Sequence, residues 1–193
     1  FVKVPEVDPI SSVILESVFQ AMDEVHSLMS REKGLAGMAE NVRQGFRAGG
    51  RAPLGYRLVA VSTGAVRDGA PVTKNRLEPH EAEPVAAYLR NRAAGVPRAQ
   101  AGLELPVTTL IGIEWNALTY AGHTVWNVHA ERVKGGYKGG AKRRPREEWV
   151  IARDTHPALI TEREAQRILE ALEAKRKTRA RVTRRTYLLA GML

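Results

Sequence analysis

The chain has 193 residues and 44% hydrophobic content, enough for one or two domains with real cores. Its net charge is +9 with a pI near 10.2, and residues 1 to 30 hold one Lys against five acids, so the rest is more basic than the average and nucleic acid is the partner class that fits. No apolar run approaches the ~18 residues of a membrane span, the first residues do not read as a signal peptide, and zero cysteines exclude disulfides, thiolate catalysis and cysteine-ligated zinc, which fits a cytoplasmic protein.

Phe1 to Val4 reads as the tail of a strand, and the chain is expected to be a piece of something larger. Asp8 followed by Pro9 supplies an N-cap and a preset first helical residue. Apolar residues then recur at helical spacing through Ile10, Val13, Ile14, Ala21, Val25, Leu28, Leu35, Met38, Val42 and Phe46, which predicts one helix over residues 9–47. At the usual rise it spans roughly 55 to 60 Å, the length of a bridge between domains or subunits, with Val13, Val18 and Val25 as candidate oligomerisation contacts.

The stretch RQGFRAGGRAPLGYR, Arg43 to Arg57, is a charged hinge: Gly49 and Gly50 free the backbone and Pro53 forbids further helix. Arg43, Arg47, Arg51 and Arg57 place four cations there with no acid between them, so the segment reads either as a solvated linker or as an arm along a phosphate backbone or minor groove.

Beyond it, Tyr56 to Val61 and Asn75 to Leu77 read as short strands joined through Gly64 and Asp68-Gly69, and a helix starting near Glu81 ends at Gly95 with Val85, Tyr88 and Leu89 buried. Arg98 to Leu105 and Thr108 to Asn116 read as two short helices about three residues apart, the spacing of a helix-turn-helix or of a plain helical hairpin. In the first case Leu110, Ile111, Ile113 and Trp115 pack the second helix, and Thr108, Thr109, Gly112 and Asn116 face a groove.

Gly122 to Val133 alternates as a strand with Glu148 to Arg153 as its antiparallel partner. Between them GGYKGGAKRRPR carries Lys138, Lys142, Arg143, Arg144 and Arg146 without an acid, either a DNA-backbone arm or a solvated hairpin tip. Thr161 with Glu164 forms a capping box that opens a helix carrying Ile168, Leu169 and Leu172 inward, and this helix runs into KRKTRARVTRR, seven cations without an acid. The fold class is therefore α+β: a long N-terminal helix, then a mixed α/β DNA-binding domain with a helix-turn-helix-like part and a small antiparallel sheet.

Other chemistry is not supported. The five histidines, His26, His80, His123, His129 and His156, show no metal-ligand spacing, and the glycine-rich stretches lack the context of a phosphate loop.

In order along the chain, DEVHSLMSREKGL, GGRAPLGYR, LEPHEAEPV, TYAGHTVWN, HPALITEREAQRI and RRTYLLAGML resemble segments of the large serine recombinases, the phage integrases and related transposition enzymes. The resemblance implies that residues 1–47 end a catalytic domain with its long helix, 48–56 are a linker, 57–180 a recombinase DNA-binding domain and 181–193 a linker toward a zinc-ribbon domain. It implies a serine nucleophile outside this segment, which should be inactive alone and needs no cofactor itself. Zinc is implied only for the further domain. Ser30-Arg31 matches the family's pair whose arginine neutralises the scissile phosphate, and Arg31 breaks the apolar stripe between Leu28 and Leu35. Implied partners are double-stranded attachment-site DNA and further copies in a dimer or tetramer, with no membrane, in a bacterial or phage-encoded cytoplasmic enzyme. The rival reading is a non-enzymatic helix-turn-helix regulator with a long dimerisation helix. An RNA-binding protein would need stacking aromatics, and only 6% of the residues are aromatic.

Overall fold

The computed structural model describes residues 8–129 and 143–181, with the backbone alone at 176–181. Helix α1 covers Pro9–Arg43, and its N-terminus is capped as the sequence predicts, the Asp8 carboxylate accepting the Ser11 N–H at 3.3 Å. It stops four residues short of the expected 47. Gly45 takes φ +80°, its N–H donates to Val42 O, and the Phe46 N–H donates to Asn41 O, a Schellman termination that ends the helix before the Gly49-Gly50 pair. Only Ala39 and Val42 of α1 are buried, against strands β3 (Thr124–Trp126) and β4 (Val150–Ala152), and the N-terminal part of the helix stands clear with its apolar residues exposed.

The linker docks at once on a hairpin. The Arg47 N–H donates to Asn75 O at 2.8 Å, and the Phe46 ring lies under both Lys74 and Arg76 at about 5 Å. Strands β1 (Tyr56–Arg67) and β2 (Ala70–Pro79) pair antiparallel from Tyr56 with Pro79 to Arg67 with Ala70. They are longer than the expected Tyr56 to Val61 and Asn75 to Leu77. Asp68 and Gly69 form the turn with φ +51° and +79°, the backbone signs of a type I′ turn, whereas Gly64 lies in a register shift between Ser62 and Val66.

Helix α2, Glu83–Ala93, carries Pro84 in its first turn, buries Val85, Tyr88 and Leu89 and ends at Gly95, as the sequence predicts. The helix expected from Arg98 to Leu105 is a single 3-10 turn, Arg98–Gln100, because Gly102 takes φ +89° and Pro106 follows. The helix-turn-helix therefore lacks a regular first helix of its own. Helix α3 is Val107–Trp115, and α4, Ala117–Tyr120, continues it after a break at Asn116.

β3 and β4 pair antiparallel, Thr124 with Ala152 and Trp126 with Val150. Of the strand expected from Gly122 to Val133, Thr124–Trp126 forms, Asn127 interrupts it at φ +64°, His129 bridges to Arg143, and residues 130–133 lie outside the described residues. Helix α5, Glu162–Arg181, opens on the predicted capping box: the Thr161 N–H donates to Glu164 Oε2 at 2.7 Å and the Glu164 N–H to Thr161 Oγ1 at 3.3 Å.

The core gathers Tyr56 and Leu77 from the hairpin, Val85, Tyr88 and Leu89 from α2, Leu110 and Ile113 from α3, Tyr120 from α4, and Ile168, Leu169 and Leu172 from α5. Each such side chain contributes about 1.5–3 kcal/mol by leaving water. The fold is α+β, with a long N-terminal helix and two small antiparallel sheets. No described helix is long and apolar enough to cross a membrane.

Candidate nucleic-acid interface

The best-defined polar surface is the outer face of α3. Thr108, Thr109, Gly112 and Asn116 are exposed, while Leu110, Ile113 and Glu114 are buried on the other side. The apolar spacing predicts this division, apart from Ile111 and Trp115, which are only half-buried, and Glu114. That carboxylate is fully buried and accepts from Tyr88 Oη at 2.8 Å, Arg92 Nε at 2.7 Å and Arg98 at 2.8 and 2.5 Å. Burial pushes its pKa up, but the bonds from Arg98, Tyr88 and Arg92 outweigh that and hold it below the ordinary carboxylate value. Arg92 also donates to Val96 O, so one carboxylate fixes α2, the 3-10 turn and α3 together. Sequence reasoning missed Glu114. Its signal was an acid amid apolar residues in a nine-residue helix otherwise free of charge.

The hinge arginines do not form one bare cationic row. Arg43 pairs with Glu40 at 3.5 Å and Arg57 with Glu78 at 2.6 Å, both across exposed surface, so two of the four meet acids supplied from outside the linker. Arg51 is exposed. Arg47 turns inward instead: it is half-buried, donates from Nη2 to Arg51 O at 3.3 Å, and its buried Nε makes no hydrogen bond among the described residues. Burial lowers its pKa, with Tyr120 opposing the shift.

Of the basic run near Arg146, Lys138 and Lys142 lie outside the described residues. Arg143 stacks on the Trp115 ring at 4.0 Å, and Arg146 lies 5.9 Å above Trp149. Arg144 meets an acid after all, Glu148 at 2.9 Å, and also donates to His129 O at 3.1 Å. These bonds tie the segment to the end of β3, so Arg143 and Arg144 belong to a folded surface rather than a bare tip.

Between the linker, the end of α3, β3 and this segment lies an open groove of about 670 Å³. Trp115, Trp126 and Trp149, all three tryptophans of the chain, line it together with Arg47, Asn116 and Asn127, and among the described residues no acid lines it. Nothing in the sequence pattern brought these three segments together.

Arg31 is exposed on α1, and Val13, Val18 and Val25 are exposed with it, alongside Phe19 and Met22. The histidines divide as follows: His26, His80 and His129 are exposed, whereas His123 and His156 belong to the packing around Gly122. His156 Nε2–H donates to Thr119 O at 2.8 Å, which leaves Nδ1 to accept from the Thr155 hydroxyl at 2.9 Å. Among the described residues no group of three or more acids and histidines could hold a metal ion.

A family model described as Recombinase matches residues 77–175, just over half of the chain. The matched span runs from Leu77 in β2 into α5 and so contains the Glu114 cluster and the three tryptophans, while α1 and the linker lie outside it. No curated protein matches the sequence.

Proposed function

The chain belongs to the Recombinase family, and from that premise we propose that it is the DNA-binding portion of a site-specific serine recombinase that recognises attachment-site DNA and supports strand exchange. One observation carries the reading: α3 is clamped from behind by the Glu114 cluster and presents Thr108, Thr109, Gly112 and Asn116 outward, small and polar residues on a rigid helix. A helix presented in this way can read base edges in a major groove.

In this reading residues 1–47 carry the oligomerisation helix, 48–56 the linker, 57–180 the DNA-binding domain and 181–193 a connection to a further domain. The linker runs along the duplex, with Arg51 on the phosphates and Arg43 and Arg57 free to exchange their exposed acids for phosphate, because exposed ion pairs are worth little. Arg143, Arg144 and Arg146 add to the DNA contact, and Lys142, which lies outside the described residues, is assigned with them on sequence alone. Arg31 on α1 contributes to the scissile phosphate in the complete enzyme, and Val13, Val18 and Val25 join copies into a dimer or tetramer. Selection of binding sites from random duplexes, followed by a salt titration on the winners, tests the proposal. A preferred sequence with steeply salt-dependent affinity is the expected result, and a flat dependence with no preferred site rejects it.

A further inference from the structure

We propose that the tryptophan groove receives one unpaired nucleotide of DNA, with its base against the indoles of Trp126 and Trp149 and its phosphate on Arg47. The proposal rests on the DNA-binding reading and adds a site to it. The lining includes the chemistry such a ligand needs, set in an otherwise largely apolar wall. Indole faces stack on any base, and Asn116 and Asn127 offer amide groups for base edges. Arg47 lines the groove half-buried, its Nε has no acceptor among the described residues, and no acid pairs with its guanidinium there, so a phosphate in the groove supplies the opposite charge. Among the described residues that line the groove there is no acid, and the nearby Glu148 carboxylate is paired with Arg144.

Arg144 is less available to a phosphate than Arg47, because Glu148 and His129 O both hold it. The Trp115 face that Arg143 covers at 4.0 Å is likewise taken, whereas Arg146 stands farther from the Trp149 ring, at 5.9 Å, and none of the described contacts places a cation over Trp126.

Size and position narrow the ligand further. A volume of about 670 Å³ is that of a small-ligand pocket and takes one nucleotide, not a duplex. Asn116 lines the groove and also ends the exposed face of α3, so DNA held along that face passes the groove mouth. A base inside a duplex has both faces covered by its neighbours and must leave the stack to enter, which is easiest for a base that is already unpaired.

All three tryptophans line the groove, so the intrinsic fluorescence of the unmodified 193-residue chain reports on it directly. Three probes are titrated: a fully paired duplex, the same duplex with one bulged thymidine, and oligothymidylate, with thymidine monophosphate as a fourth arm to separate a free nucleotide from one within a strand. The expected result is quenching by oligothymidylate and a bulged duplex that binds about tenfold tighter than the paired one, with matching quenching. Trp126→Leu should abolish that preference. Quenching by the monophosphate alone overturns the assignment to DNA. Equal affinity for bulged and paired duplexes overturns it too, as does a preference without quenching, and neither comparison depends on the variant folding. Salt-dependent binding of the paired duplex would survive any of these failures, so the proposed function and the groove are tested apart.

Discussion

Arg98 grips Glu114 in bidentate fashion, Nε to Oε1 at 2.8 Å and Nη2 to Oε2 at 2.5 Å, so the turn before α3 is fastened to the buried side of α3 itself. Arg92 and Tyr88 of α2 reach the same Oε1 at 2.7 and 2.8 Å. The carboxylate is fully buried and the Arg92 side chain is only 8% exposed, so removing the acid leaves a guanidinium buried without its counter-charge. Glu114→Ala is expected to cost about 3–5 kcal/mol in urea unfolding. Arg98→Ala is expected to cost less, since its side chain is 23% exposed and water can replace it. Equal losses would show that the cluster is not organised around the carboxylate.

The same cluster and His156 set two separate acid limits. Burial holds the His156 ring below its ordinary value of 6.5, with Arg47 and His123 adding to the effect against the Thr119 bond. As pH falls through 6.5 the unfolded chain takes up a proton that the folded ring resists, so stability starts to fall there. Glu114 is depressed below 4.5, so its contribution is complete above that pH and is lost only as pH drops further. Urea midpoints measured across this range should fall in two stages, and His156→Gln should shrink the upper stage, to which His129, held low by burial and Arg143, also contributes, and leave the lower stage unchanged. A single fall below 4.5 in the unmodified protein would remove His156 from the account.

Gly122 is where the chain turns between α4 and β3, at φ +90°. A Cβ there would lie 2.9 Å from His156 O and 3.3 Å from Ala158 Cβ, too close for either to remain in place. Gly49 has a similar φ of +71° with nothing within 4 Å. Gly49→Ala should therefore cost about 1 kcal/mol from the left-handed backbone alone, and Gly122→Ala about 2–4 kcal/mol. Thermal melts of the two variants separate backbone strain from collision.

These features differ in how far the sequence discloses them. The Asp8 cap, the Gly95 terminus and the Thr161–Glu164 box are legible because each is a bond between near neighbours in the chain. The outward face of α3 is legible because its burial follows helical spacing. Gly45 was overshadowed by the more conspicuous Gly49-Gly50 pair. Glu114 and the tryptophan groove depend on partners far apart in sequence: Arg98 and Arg92 lie 16 and 22 positions from Glu114, and the three indoles come from three segments. Periodicity says which side of a helix is buried, not which charge waits there.

If the linker follows DNA, its arginines should contribute unequally. Arg51 is exposed, and its side chain shows no acid partner among the described contacts, whereas Arg57 is held by Glu78 at 2.6 Å. Each neutralised phosphate adds about 0.9 to the log-log salt slope, so Arg51→Ala should lower the slope by about that much. Arg57→Ala should lower it less, because the cation gives up Glu78 when it binds phosphate. Thr109→Ala should instead leave the slope unchanged and reduce discrimination between the selected site and random duplex, since a hydroxyl that reads a base neutralises no phosphate. A changed slope for Thr109→Ala would move that residue to the backbone.

The exposed stripe of α1 has the composition of a buried surface. Val18 is 48% exposed and Val25 56%, on a helix whose opposite side carries Glu16 and Asp23. Apolar residues left in water on this scale mark a surface that a partner covers, and a second copy of the same helix offers a matching stripe. Val25→Asp should therefore weaken self-association by roughly tenfold or more, as expected when a buried valine is replaced by a charge. Glu16→Lys, on the polar side, should leave association unchanged. Because Val25 makes no contribution to the core, the melting temperature of the dilute protein should not move with either change. Sedimentation across a concentration series measures the first effect and calorimetry the second. Loss of folding in Val25→Asp would place that residue inside the domain rather than at a contact between copies.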